Sequence, residues 1–425
     1  IPYLRSMRTR LENLDGLALC YENGQSPAFL AGQAMDQAPV LKQAYLDMEG
    51  GFIVDFGAMD ALDRSQDPQG LRVIDGQGRW AFPAFIDSHT HLVYAQERSG
   101  EFEQRMRGAT YAEIAAAGGG ILNSAQALEA MSEDALLQGL LKRLNQARNT
   151  GTAVVEIKSG YGLTLEAELK MLRVVQRAKT LSRQPLFATF LGAHAVPARH
   201  SGNTEAYFHE VLTGMLPRIA AEGLADFVDL FCEENYFRPD QLRALADAAQ
   251  SYGLPLKAHV NQFTSIGGVQ AAIASRALSV DHLEVLTDDD LADLTAAWSG
   301  QTGPMPVALP GCSLFLQIPY TPGRRIIDAG LPLAIASDCN PGSAPSANLA
   351  LAWALSCHQM KLTPMEALVG LTLNGAAALG ASDRMGSIQR GKEAHVILTK
   401  PVSSLASLPY HFGENLVEHT FVFGQ

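Results

Sequence analysis

FPAFIDSHTH (residues 82–91) and PLAIASDCN (residues 332–340) share one pattern, a short apolar, β-rich run that closes on polar residues. Six further runs of the same kind lie between them: GTAVVEIKSG (151–160), PLFATFLGAH (185–194), ADFVDLFCEE (225–234), LPLKAHVNQ (254–262), LSVDHLEV (278–285) and MPVALPG (305–311). The intervening segments, such as TLEAELKMLRVVQRAKTL (164–181) and RPDQLRALADAAQSYG (238–253), repeat apolar residues at three and four positions and predict amphipathic helices. His91 and Asp338 are 247 positions apart, or about 35 for each of seven crossovers, which is the size of a βα repeat. The expected fold is therefore α/β, a closed (β/α)8 barrel of the TIM type. An open doubly wound sheet is disfavoured because no G-x-G-x-x-G follows the first strand. The GGG at Gly118–Gly120 lies in the long insert after that strand and reads as a loop at least as well as a ligand cradle.

A chain of 425 residues exceeds the roughly 250–300 residues over which one hydrophobic core grows, so a second, smaller unit is expected. LALCYE (17–22), GFIVDFG (51–57) and LRVIDGQGRWAF (71–82) are short and strand-like, and EAHVILTK (393–400) and HTFVFG (419–424) repeat their style near the other end. These pieces predict a small composite β-sandwich domain built from residues 1–81 and 378–425, with the barrel occupying 82–377.

A net charge of −12 and the absence of a Lys/Arg-rich run argue against nucleic acid as a partner. The five cysteines are far apart and never form C-x-x-C, so neither a disulfide framework nor a zinc knuckle is indicated, and a reducing cytoplasm is expected. No apolar run is long enough to span a bilayer, and the opening IPYLRSMRTRLENLDG lacks the apolar core of a signal peptide.

In a barrel, chemistry is carried at the C-terminal strand ends. Those ends carry His89 and His91, Glu156 and Lys158, His194, Glu233 and Glu234, His259, His282 and Asp338, which gathers five of the 11 histidines at one face. His89 and His91 are two apart on a strand, so their imidazoles point the same way. His-x-His alone is a weak signal that two buried, hydrogen-bonded histidines would also give. His259 and Asp338 complete a three-imidazole, one-carboxylate set suited to a single metal ion, with Asp338 also placed to accept a proton from water. Lys158 reads as one half of a buried ion pair. His200, His209, His358, His395, His411 and His419 stand away from the strand ends and read as surface or packing residues.

The DSHTH segment (87–91), a His on the fifth and on the sixth strand, and an Asp on the eighth resemble the amidohydrolase superfamily over nearly the whole chain. EIKSGYGL (156–163), FLGAHAVP (190–197), DHLE (281–284), ALPG (308–311) and SDCNPGS (337–343) are similar to those members that open a cyclic amide in histidine degradation. The resemblance implies hydrolysis of 4-imidazolone-5-propanoate to N-formimidoyl-L-glutamate by a cytoplasmic homodimer with one Zn2+ or Fe ion per chain. It implies that Arg98 binds the substrate carboxylate, that Tyr161 and His194 contact substrate, that Gln262 reads the ring, and that Asn340, Gly342 and Ser343 line the pocket. His282 is expected to orient the attacking water or polarise the carbonyl, with second-metal ligation as its alternative, and Asp338 or His282 to return a proton to the leaving nitrogen. Many amidohydrolases bridge two metals with a modified lysine on strand four, but FCEE offers Glu233 and Glu234 there, so one metal is expected. The competing readings are another cyclic amidase or deaminase, against which Arg98, Tyr161 and the NPGS segment argue, and an inactive barrel kept for binding, against which the complete ligand set argues.

Overall fold

The computed structural model describes residues 8–22, 25–109, 113, 119–300 and 303–425. Positions 1–7 of the opening segment, where the sequence predicts no signal-peptide core, and Gly118 of the glycine run lie outside that set.

The N-terminal segment supplies β1 (Thr9–Ala18), β2 (Val40–Glu49), β3 (Phe52–Ala58), β4 (Arg72–Asp75) and β5 (Trp80–Pro83). The eight runs read from the sequence become β6 (Phe85–Asp87), β7 (Thr152–Lys158), β8 (Leu186–Ala193), β9 (Phe227–Cys232), β10 (Lys257–Val260), β11 (Ser279–His282), β12 (Met305–Ala308) and β13 (Ala334–Ile335). The C-terminal segment adds β14 (Val396–Thr399) and β15 (Val417–Phe421).

β6 to β13 form one parallel sheet in chain order. The ladder does not run from β13 to β6. Residues just beyond both strands close the barrel: Thr90 bridges Cys339 in parallel, His91 N donates to Cys339 O (2.9 Å), and Asp338 N donates to His89 O (3.0 Å). Below them Asp87 accepts from Ser337 N (3.0 Å) and Ser337 Oγ (2.6 Å). His89, His91 and Asp338, which the sequence marks for chemistry, thus supply backbone groups to the seam of the barrel.

The predicted helices form where their periodicity places them. Leu165–Leu181 starts at Thr164, whose hydroxyl accepts from Ala167 N, and it buries Leu169, Leu172 and Val175 against the barrel. Pro239–Gln250 opens on a proline, which the first turn tolerates because its N–H has no intrahelical partner.

The terminal segments form a seven-stranded sheet of order β15-β14-β5-β1-β2-β3, with β4 also beside β1. β1 pairs antiparallel with β2 and parallel with β4 and β5, so the sheet is mixed. It has its own apolar core around Leu11, Leu14, Leu46, Phe56, Val396 and Phe421. β5 leads through Ala84 directly into β6, and the two units meet at Gly151. There φ is +106° and a Cβ would lie 2.7 Å from Ile397 and 2.9 Å from the Phe85 ring, so a side chain is excluded on both conformational and steric grounds. No helix among the described residues is long and apolar enough to cross a membrane.

Candidate metal centre and substrate pocket

The strand ends bring His89, His91, His259, His282 and Asp338 together, all buried. Ring centroids of His89 lie 4.4 Å from His259, 5.4 Å from His91 and 5.7 Å from His282. Asp338 Oδ1 is 3.6 Å from His89 Nε2 and 3.5 Å from His91 Nε2. Two donor groups, each with atoms within 4.8 Å of one another, share His89: one adds His91 and Asp338, the other His259 and His282. The four expected ligands are therefore spread over both groups, and His282 stands as near as they do.

Nε2 of His89 and Nε2 of His259 are buried without a hydrogen-bond partner. A buried polar atom in that state costs about 1–3 kcal/mol, and a shared cation would satisfy both nitrogens at once. Burial first, then neighbouring positive groups, hold His89 and His91 well below the usual imidazole range, and burial brings His259 to about 4 despite the opposing charge of Asp229. Neutral imidazole is the form that ligates. Burial raises Asp338 to about 6, against the pull of His282. The donor set and its protonation fit a metal ion.

Beneath this cluster lies a charged layer, of which the sequence reading found Glu156 and Lys158 but not Asp229, Lys257 or Asp281. His89 Nδ1 sits 2.5 Å from Asp281 Oδ2 and His259 Nδ1 sits 2.9 Å from Asp229 Oδ2, contacts that turn each Nε2 toward the centre. Lys158 Nζ is 2.8 Å from both Glu156 and Asp229, so it is ion-paired, and Lys257 Nζ lies 3.7 Å from Asp281. All five of these layer residues, Glu156, Lys158, Asp229, Lys257 and Asp281, are fully buried. The signal for Asp229 was a charge inside an apolar run, FVDLFC, and for Asp281 a carboxylate directly before His282 in SVDH. Both pass unnoticed when only the last polar residue of each run is considered.

Glu233 does not enter either group. Its carboxylate accepts from Phe263 N (2.9 Å), from Glu234 N (3.0 Å) and from the Thr264 hydroxyl, so it holds the loop after β10, while Glu234 is exposed. Glu284, also missed, faces His282 with both oxygens 3.3 Å from Nδ1. Positive φ at His282 (89°) and Leu283 (63°) turns the chain so that Glu284 comes back beside the ring two residues earlier. Burial opposes a charge on His282, but Glu284 and Asp338 outweigh it and raise this imidazole above its ordinary value.

His194 stacks on His91 at 5.2 Å, with Nδ1 3.1 Å from Gly160 O, and Tyr161 packs 5.8 Å from His91 and 5.6 Å from His194. The loop carrying Tyr161 is pinned by Glu168, which accepts from the N–H groups of Gly160, Gly162 and Leu163 at 2.8–3.0 Å. Gln262 Nε2 donates to Cys312 Sγ at 3.3 Å. The Asn340 amide is used within its own turn: Nδ2 donates to Asp338 O and Ser343 Oγ, and Oδ1 accepts from Gly342 N and Ser343 N, all at 2.7–2.8 Å. It shapes the turn that presents Ser343, whose hydroxyl lies 3.5 Å from Asp338 Oδ2.

Arg98 precedes the helix Ser99–Met106 and donates from Nε to Glu101 Oε2 at 2.8 Å. Its guanidinium packs against Gly342, where a Cβ would lie 2.3 Å from Nη1. Gly342→Ala is therefore expected to displace the guanidinium and raise KM about tenfold, with metal content unchanged. Steady-state kinetics beside metal analysis checks this, and a KM within twofold of wild type would detach Arg98 from the pocket.

Eight parallel strands whose ends gather imidazoles and a carboxylate around unpartnered nitrogens define a metal-dependent barrel hydrolase. The chain belongs to the amidohydrolase family, whose model matches residues 80–425. It is similar to imidazolonepropionases: 46% identical over 419 residues to that of Flavobacterium johnsoniae, covering 99% of this chain and 100% of the relative. The imidazolonepropionase of Geobacillus kaustophilus is 38% identical over 400 residues, covering 93% of this chain and 92% of the relative. Among solved structures, the atrazine chlorohydrolase of Arthrobacter aurescens TC1 complexed with zinc has the same fold, with a TM-score of 0.75 at 18% identity over 98% of this chain and 94% of that one.

Proposed function

We propose that this chain hydrolyses the cyclic amide of 4-imidazolone-5-propanoate to N-formimidoyl-L-glutamate, the reaction of histidine degradation. The observation that carries the reading is a guanidinium, Arg98, packed at Gly342 in the turn that follows Asp338, where it is available to meet a substrate carboxylate. Similarity to imidazolonepropionases over the full chain supports it.

His89, His91, His259 and Asp338 would hold one Zn2+ or Fe ion per chain. A bound ion of this kind supplies Lewis acidity that lowers the pKa of a water from 15.7 toward about 7. His282, held by Glu284, orients that water or polarises the ring carbonyl. Water adds to the carbonyl carbon, the C–N bond of the ring breaks, and Asp338 or His282 returns the proton to the departing nitrogen. Arg98 grips the propanoate, Gln262 reads the ring, Tyr161 and His194 fix its position, and the turn of Asn340, Gly342 and Ser343 closes one wall. Five free cysteines agree with a reducing cytoplasm, and a homodimer is the assembly proposed.

The direct test is an assay with freshly generated 4-imidazolone-5-propanoate, followed to the formimino product. Metal-loaded protein that leaves the substrate unchanged would overturn the reading. A bidentate contact between Arg98 and the propanoate contributes about 1.5–3 kcal/mol, so Arg98→Met is expected to lower kcat/KM about 10–150-fold with metal retained. Arg98→Lys recovers only part of this, because an ammonium lacks the planar fork. An analogue without the propanoate should respond little to either change. Equal loss on both substrates would show that Arg98 shapes the loop and does not read the carboxylate.

A further inference from the structure

His282, Glu284 and Cys312 bring a nitrogen, a carboxylate oxygen and a sulfur within 4.8 Å of one another, and all three residues are buried. The first two stand at and just beyond the end of β11, and Cys312 lies in the segment Pro310–Leu316 after β12. Cys312 is in no disulfide. Glu284 Oε1 accepts from the Ser313 hydroxyl at 3.3 Å, while among the described residues no hydrogen bond reaches Oε2, whose neighbour is the His282 ring at 3.3 Å. A buried carboxylate oxygen without a donor is costly, and a cation lodged between it, the imidazole and the sulfur would relieve that cost. The mixture of nitrogen, oxygen and sulfur suits zinc or cadmium and not magnesium or calcium, which take oxygen.

We propose that His282, Glu284 and Cys312 form a second, weaker site for a soft divalent cation, filled when such ions are in excess, and that filling it inhibits the enzyme. The site is weaker because it must be made at the expense of contacts already present: the Cys312 thiol releases its proton to solvent as the sulfur–metal bond forms, and the Gln262 amide loses its sulfur acceptor. No electron is transferred. Inhibition follows because the ion withdraws His282 from water or carbonyl activation and unseats Gln262. That half of the proposal rests on the function proposed above, whereas binding by the three residues does not.

The test is a Cd2+ titration of protein already carrying one equivalent of metal, read by equilibrium metal content, ultraviolet absorption and turnover. Wild type is expected to take up a second equivalent with a thiolate-to-metal charge-transfer band, and to lose activity in step with that band. Cys312→Ser should lose both the band and the second equivalent, and Glu284→Gln should keep the band but need about tenfold or more cadmium to reach it. Should Cys312→Ser fail to fold, Glu284→Gln carries the test alone. Uptake that stops at one equivalent, a thiolate band already present in the first, or a second equivalent untouched by both substitutions each overturns the site. A band that grows without inhibition overturns the inhibitory role only. Failure of the proposed function would appear earlier and separately, as wild type with one equivalent and no turnover.

Discussion

His259→Ala and Asp338→Asn are each expected to lose bound metal and activity together, with turnover falling about 10³-fold or more. His259 is the imidazole offered by β10, and its ring is aimed by Asp229. Asp338→Asn is the sharper of the two substitutions. The asparagine keeps the side-chain volume, and the backbone N–H that closes the seam to His89 O is untouched, so the barrel should remain folded by circular dichroism. What it removes is the carboxylate charge that faces Nε2 of both His89 and His91. Metal analysis on the same preparations used for kinetics decides the matter. A tightly held ion with near-normal turnover in either variant would remove the proposed centre.

His282→Ala should separate the two losses. With His282 assigned to activation of water or carbonyl, metal content stays at the wild-type value while turnover falls about 10²–10⁴-fold. The geometry makes this a demanding experiment, because His282 shares a donor group with His89 and His259 and stands as close to them as a ligand would. Loss of metal from this variant would reassign His282 to ligation. Glu284→Gln offers a milder version, since it leaves the ring in place and removes the charge that favours the imidazolium. It should lower turnover less than His282→Ala does, and an effect as large would mean that Glu284 itself meets the substrate.

The barrel was legible because the apolar run of each strand and the three-to-four spacing within helices are local properties, and a βα repeat averaging about 35 residues needs no knowledge of what touches what. The same locality identified the mouth residues His89, His91, His259, His282 and Asp338, since the last polar residue of a barrel strand faces the open end wherever the chain goes next. Lys158 was legible as an ion-paired residue for another local reason, that a buried ammonium requires a counter-charge. Its partners were not, because Glu156 is on its own strand but Asp229 comes from β9.

Tertiary structure alone decided which side chains these residues meet. Which of five converging side chains are ligands depends on distances between β6, β10, β11 and the seam, and sequence carries no distances. The aiming of His89 by Asp281 and of His259 by Asp229 joins residues 192 and 30 positions apart, and neither carboxylate is the last polar residue of its run. Glu284 reaches His282 only because two consecutive residues adopt positive φ, a conformation that nothing in DHLE requires. The closeness of Arg98 to Gly342 likewise arises from two loops, after the first and the eighth strand, that become neighbours when the barrel closes. Periodicity, a local interaction repeated, is written along the chain; the meeting of side chains from different strands is set by closure of the sheet, and it exists only once the chain has folded.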